Sequence, residues 1–309
     1  MNNIKHILVT GGTGFIGTAL LNIAQSKHMH CTVLTRDAQR ARTLLPLDIN
    51  VIESLNEIDA TEPIDWIINL AGESLVSHRW NDKSKALFIE SRLSVTQALV
   101  DWIATRESPP EALINASAIG WYGDKGDEVL NEKSSYHAEF IHDICDQWEH
   151  VAQQASEYGV RVCCIRTGLV LGHGGAMNNI LPTFKFGMGG ALGDGEQWWS
   201  WIHIQDLVRL YLFCAEKDIS GIVNGTSPHP VKQKHFAKVL GKVMHRPSVI
   251  KTPGVVLKLV LGEFAEALLL HGQQVLPEVA QQKGFEFFYP ELEDALREVV
   301  LTPELKKAS

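Results

Sequence analysis

The sequence predicts an α/β protein in which a doubly wound parallel sheet precedes a smaller, mostly helical C-terminal domain. Short apolar runs alternate with helical segments over the first part of the chain, an order typical of parallel sheets. A glycine-rich turn at residues 10–17 follows the first apolar run directly. From residue 228 onward, helical periodicity dominates. These three patterns favour the α/β class over an all-helical or all-strand protein.

Composition and charge exclude several classes of protein. The 309 residues are 45% hydrophobic and 21% charged, which suits a soluble protein with a large core. The net charge of -8 argues against nucleic acid as a partner, because such a partner requires a basic face. The most apolar stretch, 254–270, is interrupted by Lys258, Glu263 and Glu266. We therefore expect a core or interface helix there and no membrane span.

The N-terminal segment and the cysteines predict a cytoplasmic protein. The chain enters its first strand almost at once, without the apolar segment of a signal peptide. The cysteines show no C-x-x-C spacing, and several lie in apolar runs, so we expect buried, reduced thiols. They are Cys31, Cys145, Cys163, Cys164 and Cys214. His28 and His30 lack acidic or cysteine partners, so no metal site is predicted.

The glycine turn predicts a dinucleotide site. Gly11 and Gly12 allow a sharp turn after the strand at 7–9, and Gly14 lets a pyrophosphate approach the backbone. Gly17 lets the following helix lie against its strand. The amide groups and positive dipole end of that helix then face the diphosphate. The residues predicted to form this part of the site are Thr10, Gly11, Gly14, Phe15, Ile16 and Gly17.

The second strand, at 31–35, ends where the fold places the adenosine ribose. Thr35 closes this strand, and Arg36 follows it, with Arg40 one helical turn further along; Thr35 and Arg36 are the predicted cofactor contacts here. An arginine there accommodates the 2′-phosphate of NADP, whereas an acidic group accepts from the ribose of NAD. Asp37 is the competing candidate, but it is well placed to cap the next helix. We therefore predict NADP as the cofactor.

The strands at 50–52 and 66–70 extend the predicted sheet. The second of them ends at small residues, and ligands of open α/β sheets bind at the carboxyl ends of strands. A long helix of roughly two dozen residues then carries Arg92. That arginine either reaches the cofactor or substrate or is simply solvated. The predicted cofactor contacts in this region are Leu70, Ala71, Gly72 and Arg92.

The rest of the chain completes the predicted nucleotide domain and supplies a second one. Further strands are expected at 112–117, 161–166 and 221–224, and a helix at about 140–158. We assign residues 1–171 and about 202–226 to the NADP-binding domain. Residues 172–201 and 227–309 form the smaller substrate domain.

A tryptophan cluster follows a glycine-rich loop at 187–195. Trp198, Trp199 and Trp201 cannot all be core residues beside so polar a loop. We predict that Trp199 and Trp201 contact substrate, in a mobile wall that orders over bound ligand. The opposing interpretation is that the tryptophans pin the C-terminal domain to the sheet.

The motifs resemble those of extended short-chain dehydrogenases/reductases, which include the sugar-nucleotide epimerases. The matching segments are 10–17, 69–72, Ser117 with 122–123, 166–172 and 201–206. More narrowly, the chain resembles a family of NAD(P)-dependent epimerase-like proteins with their own C-terminal domain. The resemblance implies a Rossmann-like fold, a small or nucleotide-linked substrate, cofactor binding by Arg166 and substrate contact by Trp121. It is compatible with an oligomer.

The usual proton-transfer pair of that superfamily is missing. Its chemistry needs a tyrosine with a lysine four residues later, and no tyrosine in this sequence meets that condition. Ile141 and Cys145 occupy the corresponding places. Ser117 and Tyr122 remain as candidate catalytic residues, although Ser117 is also explained as a strand-end serine bonded to backbone. Two functions stay open: an NADP-dependent oxidoreductase or epimerase-like enzyme, and a non-catalytic NADP-binding sensor or scaffold.

Overall fold

A computed structural model describes residues 4–302, and within that range the chain divides into two units. The first comprises the described residues of 1–118, 143–166 and 208–223, and the second those of 119–142, 167–207 and 224–309. This division differs from the predicted domain bounds, because it assigns 119–142, 167–171, 202–207 and 224–226 to the second unit. Residues 1–3 and 303–309, which the predicted bounds include, lie outside the described range. The predicted domain bounds stay a prediction.

The strands follow the predicted apolar runs closely. In chain order they are β1 His6–Thr10, β2 His30–Leu34, β3 Asn50–Ile52, β4 Trp66–Asn69, β5 Ala112–Ala118, β6 Val129–Leu130, β7 Arg161–Thr167, β8 Leu169–Leu171, β9 Trp198–Trp199, β10 Trp201–His203, β11 Gly221–Gly225, β12 Val231–Lys232 and β13 Gln274–Val275. Short two-residue strands such as β6 and β13 carry too few residues for an apolar pattern, and none was predicted there.

The helices alternate with the strands of the first unit and dominate the second. They are α1 Phe15–Ser26, α2 Ala38–Leu44, α3 Asp82–Ala104, α4 Phe140–Gln153, α5 Met177–Lys185, α6 Ile204–Glu216, α7 Gln233–Met244, α8 Gly254–Leu261, α9 Glu263–Ala265, α10 Glu278–Gln282 and α11 Leu292–Leu301. Local chemistry sets several of their starts. Asn81 and Ser84, for example, form a reciprocal capping box at the start of α3.

The first unit is built on a sheet whose order, within the described chain, is β11-β7-β5-β4-β1-β2-β3. The pairs that join β3, β2, β1, β4 and β5 are parallel. This order confirms the predicted doubly wound sheet. Strand order reverses between β1 and β4, so the carboxyl ends of these two strands flank the crevice in which such sheets bind ligands.

The second unit is mainly helical, with three two-stranded sheets among the described residues. These sheets pair β8 with β10, β9 with β12, and β6 with β13. One of its hydrophobic clusters joins α5, α7 and α11 through residues such as Phe184, Phe236 and Leu296. The mostly helical C-terminal part predicted from periodicity is therefore confirmed.

The sequence predicts a core or interface helix at 254–270, and the structure divides this segment into shorter helices. Gly262 has a φ of +62° and ends α8, after which α9 leads into a π-helix at Glu266–Leu270. None of the residues of α8 is buried, so α8 is not part of the core, whereas Ala265 of α9 is fully buried. Across residues 4–302, no helix combines the length and hydropathy that a membrane crossing requires.

Candidate functional site

The glycine turn between β1 and α1 leaves no room for side chains at two of its glycines. Gly11 has a φ of +67°, and a Cβ on it would lie 2.7 Å from the Leu70 carbonyl oxygen. A Cβ on Gly17 would lie 2.3 Å from the Gly11 carbonyl oxygen. Glycine is therefore required at both positions, by the turn at Gly11 and by the closeness of helix and turn at Gly17.

Gly14 is less crowded than Gly11 and Gly17. A Cβ on Gly14 would meet only the Gly11 carbonyl oxygen within 4 Å, at a distance of 3.2 Å. Gly14 is also the N-cap of the 12-residue helix α1, which has no side-chain cap among the described residues and no acidic group in its first turn. An uncapped helix N-terminus donates to anions and attracts them. The amides of Phe15, Ile16 and Gly17 therefore fit a diphosphate group.

Arg36 lies two residues beyond the end of β2. Its side chain is exposed and has no polar partner within residues 4–302. The carboxylate of Asp37 accepts from the Arg40 amide at 2.8 Å and caps α2, which confirms its predicted capping role. The Thr35 hydroxyl accepts from the Asp37 amide at 3.3 Å. Arg36 is thus, within the described chain, a cation without a carboxylate partner at the end of β2. It fits the 2′-phosphate of NADP better than the uncharged ribose of NAD.

A buried polar network holds the ends of β1, β4 and β5 together. The Thr10 hydroxyl donates to the Asn69 amide oxygen at 2.5 Å and accepts from the Ala71 backbone amide at 3.1 Å. The Asn69 side-chain amide donates to the Asn115 amide oxygen at 2.6 Å and to the Thr96 hydroxyl at 2.8 Å. Sequence analysis missed this role of Asn115 and Thr96. The available signal was an asparagine inside an apolar run, because a buried amide requires partners.

Arg92 lies against the segment that follows β4. Its guanidinium donates to the carbonyl oxygens of Phe88 at 2.9 Å and Glu73 at 3.1 Å, and it lies over the Trp148 ring at 5.2 Å. A Cβ on Gly72 would lie 3.0 Å from Arg92 Cζ. Arg92 is therefore fixed in place and is not simply solvated. Its contact with a cofactor stays a prediction, as do those of Leu70, Ala71 and Gly72.

Ser117 belongs to a buried charged cluster, which its sequence position alone did not indicate. Its hydroxyl donates to Glu149 Oε1 at 2.5 Å. Arg166 Nε donates to the same oxygen at 2.8 Å, and Arg166 Nη2 donates to Glu149 Oε2 at 2.7 Å. A bidentate pair of this kind fixes both side chains. Arg166 was predicted to bind the cofactor, but its exposed fraction is 3%, and its guanidinium is engaged by Glu149.

Cys145 extends this cluster. Its thiol is hydrogen-bonded to the Ser117 side chain and to the Ala118 backbone. Burial raises the pKa of the Cys145 thiol to about 11, with the Glu149 charge acting in the same direction. At neutral pH the thiol therefore stays protonated and is not a nucleophile. All five cysteines are buried and unpaired by disulfides, which confirms that prediction.

Tyr122, a predicted catalytic residue, is a core residue of the second unit. Its side chain is 0% exposed, and its hydroxyl donates to the Asn224 amide oxygen at 2.8 Å. The ring packs with Leu130 and Val275. A phenol that is enclosed and already bonded has no surface for a substrate, so this structure does not support the catalytic role of Tyr122.

Trp121 lies in an aromatic cluster of the second unit. Tyr136 stacks on the His142 ring at 3.8 Å, and both rings lie within 5.2 Å of the Trp121 ring. The His142 Nδ1 lies 2.7 Å from the Trp121 carbonyl oxygen, so this nitrogen donates. Trp121 is only half-buried, and its substrate contact stays a prediction. The sequence criterion set Tyr136 aside because no lysine lies four residues after it, and the structure shows that its phenol is exposed.

The tryptophans after the glycine loop are placed differently from the prediction. Trp199 and Trp201 belong to the hydrophobic core of the second unit, and Trp201 is 0% exposed, with its Nε1 donating to the His229 carbonyl oxygen at 3.0 Å. Trp198 is half-buried and donates from Nε1 to Asp127 at 2.6 Å. The burial of Trp199 and Trp201 therefore favours a structural role over contact with a substrate.

The loop before these tryptophans is tethered by backbone hydrogen bonds. The Gly193 amide donates to the Thr252 carbonyl oxygen at 2.9 Å, and the Thr252 amide donates to the Ala191 carbonyl oxygen at 2.9 Å. A Cβ on Gly190 would lie 1.8 Å from the Ile250 carbonyl oxygen. Close backbone approach, and not only freedom of movement, explains glycine there.

In the described part of the chain, no cluster of three or more His, Cys, Asp or Glu residues has the arrangement of a metal site.

Comparison with known proteins assigns most of the chain to one family. The model of the NAD dependent epimerase/dehydratase family matches residues 7–225. The chain belongs to this family. A second model, for a domain of unknown function (DUF1731), matches residues 252–299. The epimerase-family match covers the glycine turn, Arg36 and the Ser117 cluster.

Relatives within the family match nearly the whole chain. The epimerase family protein SDR39U1 homolog, chloroplastic, of Arabidopsis thaliana is 38% identical over 302 residues, which cover 95% of this chain and 86% of the relative. An epimerase family protein of Staphylococcus aureus is 37% identical, with coverage of 96% and 99%. The crystal structure of human epimerase family protein SDR39U1 with NADPH aligns with a TM-score of 0.87 and 30% identity, covering 96% of this chain and 100% of that one. The resemblance inferred from the motifs is thus confirmed.

Proposed function

We propose that the chain is an NADP-dependent, epimerase-like oxidoreductase that acts on a small or nucleotide-linked substrate. The Arg36 cation, which follows β2 and has no carboxylate partner within residues 4–302, carries the cofactor assignment, and the uncapped start of α1 at Gly14 supports it. The human relative that was crystallised with NADPH supports the same cofactor here.

Each part of the cofactor has a matching group in this chain. The amides of Phe15, Ile16 and Gly17 would bind the diphosphate, and Arg36 would pair with the 2′-phosphate. Leu70 and Ala71, which directly follow β4, would lie along the remainder of the cofactor. When bound, NADP supplies a nicotinamide that exchanges hydride with a substrate.

Ser117 is the residue that we propose to contact a substrate oxygen. Its proton is donated to Glu149, which Arg166 holds in a bidentate pair. The Ser117 oxygen keeps lone pairs, so it would accept from a substrate hydroxyl and orient it. This differs from a tyrosine–lysine pair, because nothing in the cluster supplies a phenol with a lowered pKa. We therefore expect standard epimerase turnover to be absent or slow.

The second candidate function is a non-catalytic NADP-binding sensor or scaffold. One observation favours it: the Ser117 side chain, 5% exposed, is already bonded within the protein to Glu149 and Cys145. A serine whose bonds are satisfied internally is also explained as a structural residue. The two candidates share the cofactor and differ in turnover.

The cofactor proposal is tested by calorimetric titration of NADP and NAD on the wild type and on Arg36→Ala. NADP should bind more tightly to the wild type, and the substitution should weaken it by about 1.5–3 kcal/mol while changing NAD little. Lys83→Ala removes an exposed cation from α3 and should change neither affinity. Equal affinities of the wild type for NADP and NAD would contradict the assignment.

The enzyme and sensor candidates are separated by redox turnover. Protein loaded with NADPH or NADP is mixed with carbonyl compounds, alcohols and sugar nucleotides, and nicotinamide absorbance is followed. An enzyme should turn over at least one class, and Ser117→Ala should lower kcat about tenfold or more with NADP affinity unchanged. Unchanged absorbance with every class, together with sugar nucleotides recovered without epimerisation and despite tight NADP binding, supports the sensor instead.

A further inference from the structure

The second unit contains a cavity that the proposed function does not use. It has a volume of about 520 Å³, within the range of small-molecule sites. Residues of α5, α7 and α11 line it, together with the segments that follow α7, β8 and α11. The lining residues are His173, Leu181, Lys185, Met244, Arg246, Val299, Val300 and Thr302.

The lining combines an apolar floor with basic groups. Leu181, Met244 and Val300 pack on the hydrophobic core beneath the cavity. Lys185 and Arg246 are exposed, and neither pairs with a carboxylate within residues 4–302. Among residues 4–302, no acidic residue lines the cavity, although the protein carries a net charge of -8. Unpaired cations around an apolar floor create a field that attracts an anion with an apolar body.

The backbone that presents Arg246 is constrained. His245, the C-cap of α7, has a φ of +54°, a conformation uncommon for a residue other than glycine. The Arg246 amide donates to the Gly241 carbonyl oxygen at 2.9 Å, and a Cβ on Gly241 would lie 2.7 Å from Ser248 Cβ. Arg246 Nε donates to the Lys185 carbonyl oxygen at 3.3 Å. The turn therefore fixes the guanidinium close to the end of α5, at the rim of the cavity.

We propose that this cavity binds an amphipathic organic anion, an aliphatic chain that ends in a carboxylate or a phosphate. The chain would lie against Leu181, Met244 and Val300, and the anionic head would pair with Lys185 and Arg246. All of these residues belong to the second unit. The proposal therefore does not depend on NADP binding at the glycine turn.

Calorimetric titration with octanoate and with octyl phosphate tests the proposal and distinguishes the two head groups. At least one of the two probes should bind the wild type more than tenfold tighter than octan-1-ol, which lacks the charge, or inorganic phosphate, which lacks the chain. The double variant Lys185→Gln/Arg246→Gln should weaken that probe by about tenfold or more, the loss expected for charge-assisted hydrogen bonds. Lys238→Gln, which removes an exposed cation from the same α7, should leave the affinity unchanged.

Two further variants make the test decisive. Val300→Phe fills the cavity from its floor and should abolish binding of the chain-bearing probe while both cations remain. Arg36→Ala, which weakens the proposed NADP site, should bind the probe as the wild type does. The proposal would be overturned if the wild type bound octanoate and octyl phosphate no more tightly than inorganic phosphate. It would also be overturned if the Lys185→Gln/Arg246→Gln variant bound the chain-bearing probe as tightly as the wild type does.

Discussion

At the scale of single residues, the partners of a side chain decide its role more than its type does. Tyr122 and Tyr136 carry the same phenol, but the first is enclosed by the core and bonded to Asn224, whereas the second is exposed. Similarly, Arg36 is unpartnered and exposed, while Arg166 is buried on Glu149. The chemistry available to each residue follows from these surroundings.

Glu149 should be among the polar residues most important for stability. Glu149→Ala would leave the Arg166 guanidinium buried without its counter-charge and remove the acceptor of Ser117. Breaking a buried pair in this way costs about 3–5 kcal/mol of unfolding free energy. Urea unfolding measures the loss, with Glu157→Ala, an exposed carboxylate in the same part of the first unit, as the control. A change below 1 kcal/mol would contradict the importance assigned to this cluster.

Tyr122→Phe should affect stability and not cofactor binding. The substitution removes the hydroxyl that donates to Asn224 Oδ1, and we expect a loss of about 0.5–1.5 kcal/mol in unfolding free energy. NADP affinity should stay at the wild-type value. Unchanged stability together with a loss of turnover would return Tyr122 to the catalytic residues.

At the scale of elements, close packing explains glycines that composition alone attributes to flexibility. The loop at 187–195 is bonded to residue 252 on one side and leads into β9 on the other, which pairs with β12. Gly190 lies where the backbone of Ile250 excludes a side chain. The loop thereby attaches the segment before α8 to the tryptophan strands β9 and β10.

A pair of glycine substitutions checks this interpretation. Gly190→Ala places a Cβ 1.8 Å from the Ile250 carbonyl oxygen, and we expect a loss of about 1–3 kcal/mol or more in unfolding free energy. Gly254→Ala, at the start of α8, brings its Cβ no closer than 3.5 Å to any atom and should change stability by at most about 0.5 kcal/mol. Thermal or urea unfolding of both variants decides the matter. Similar effects from both would show that the loop can shift to accept a side chain.

At the scale of the whole molecule, stability should depend on pH through buried histidines. Burial lowers the pKa of His203, although the hydrogen bond to Glu298 and the charges of Glu298 and Asp206 oppose that effect. The Gln205 amide donates to His203 Nδ1 at 3.3 Å, so the neutral ring carries its proton on Nε2 and donates to Glu298 at 2.8 Å. Burial also lowers the pKa of His6, in the first unit.

The sign of the pH effect follows from these directions. A histidine whose pKa is lower in the folded protein binds its proton more readily in the unfolded chain. Stability is therefore complete above the unfolded value of about 6.5 and falls as the pH is lowered through it. The urea midpoint should decrease between pH 7.5 and pH 5 at fixed ionic strength. His203→Asn should flatten this dependence, and His235→Asn, at an exposed position on α7, should not. A urea midpoint that rises as the pH is lowered would contradict the conclusion that the His203 ring is neutral in the folded protein.

The sequence by itself determined the sheet and the glycine turn, since both depend on local patterns. The apolar runs predicted β1 to β5 to within one or two residues, and Asp37 was correctly expected to cap α2. Glycine spacing predicted the turn because its conformation depends on adjacent residues. The fold class and the family resemblance followed from these features.

Only the tertiary structure decided the roles of the candidate catalytic residues. Ser117 and Arg166 both depend on Glu149, which lies 32 and 17 residues away from them, and the partner of Tyr122 lies 102 residues away. No local pattern encodes such pairings, because burial and hydrogen bonding depend on where the completed chain brings distant residues. The same holds for the open cavity beside Arg246, which residues from three helices in different parts of the sequence line.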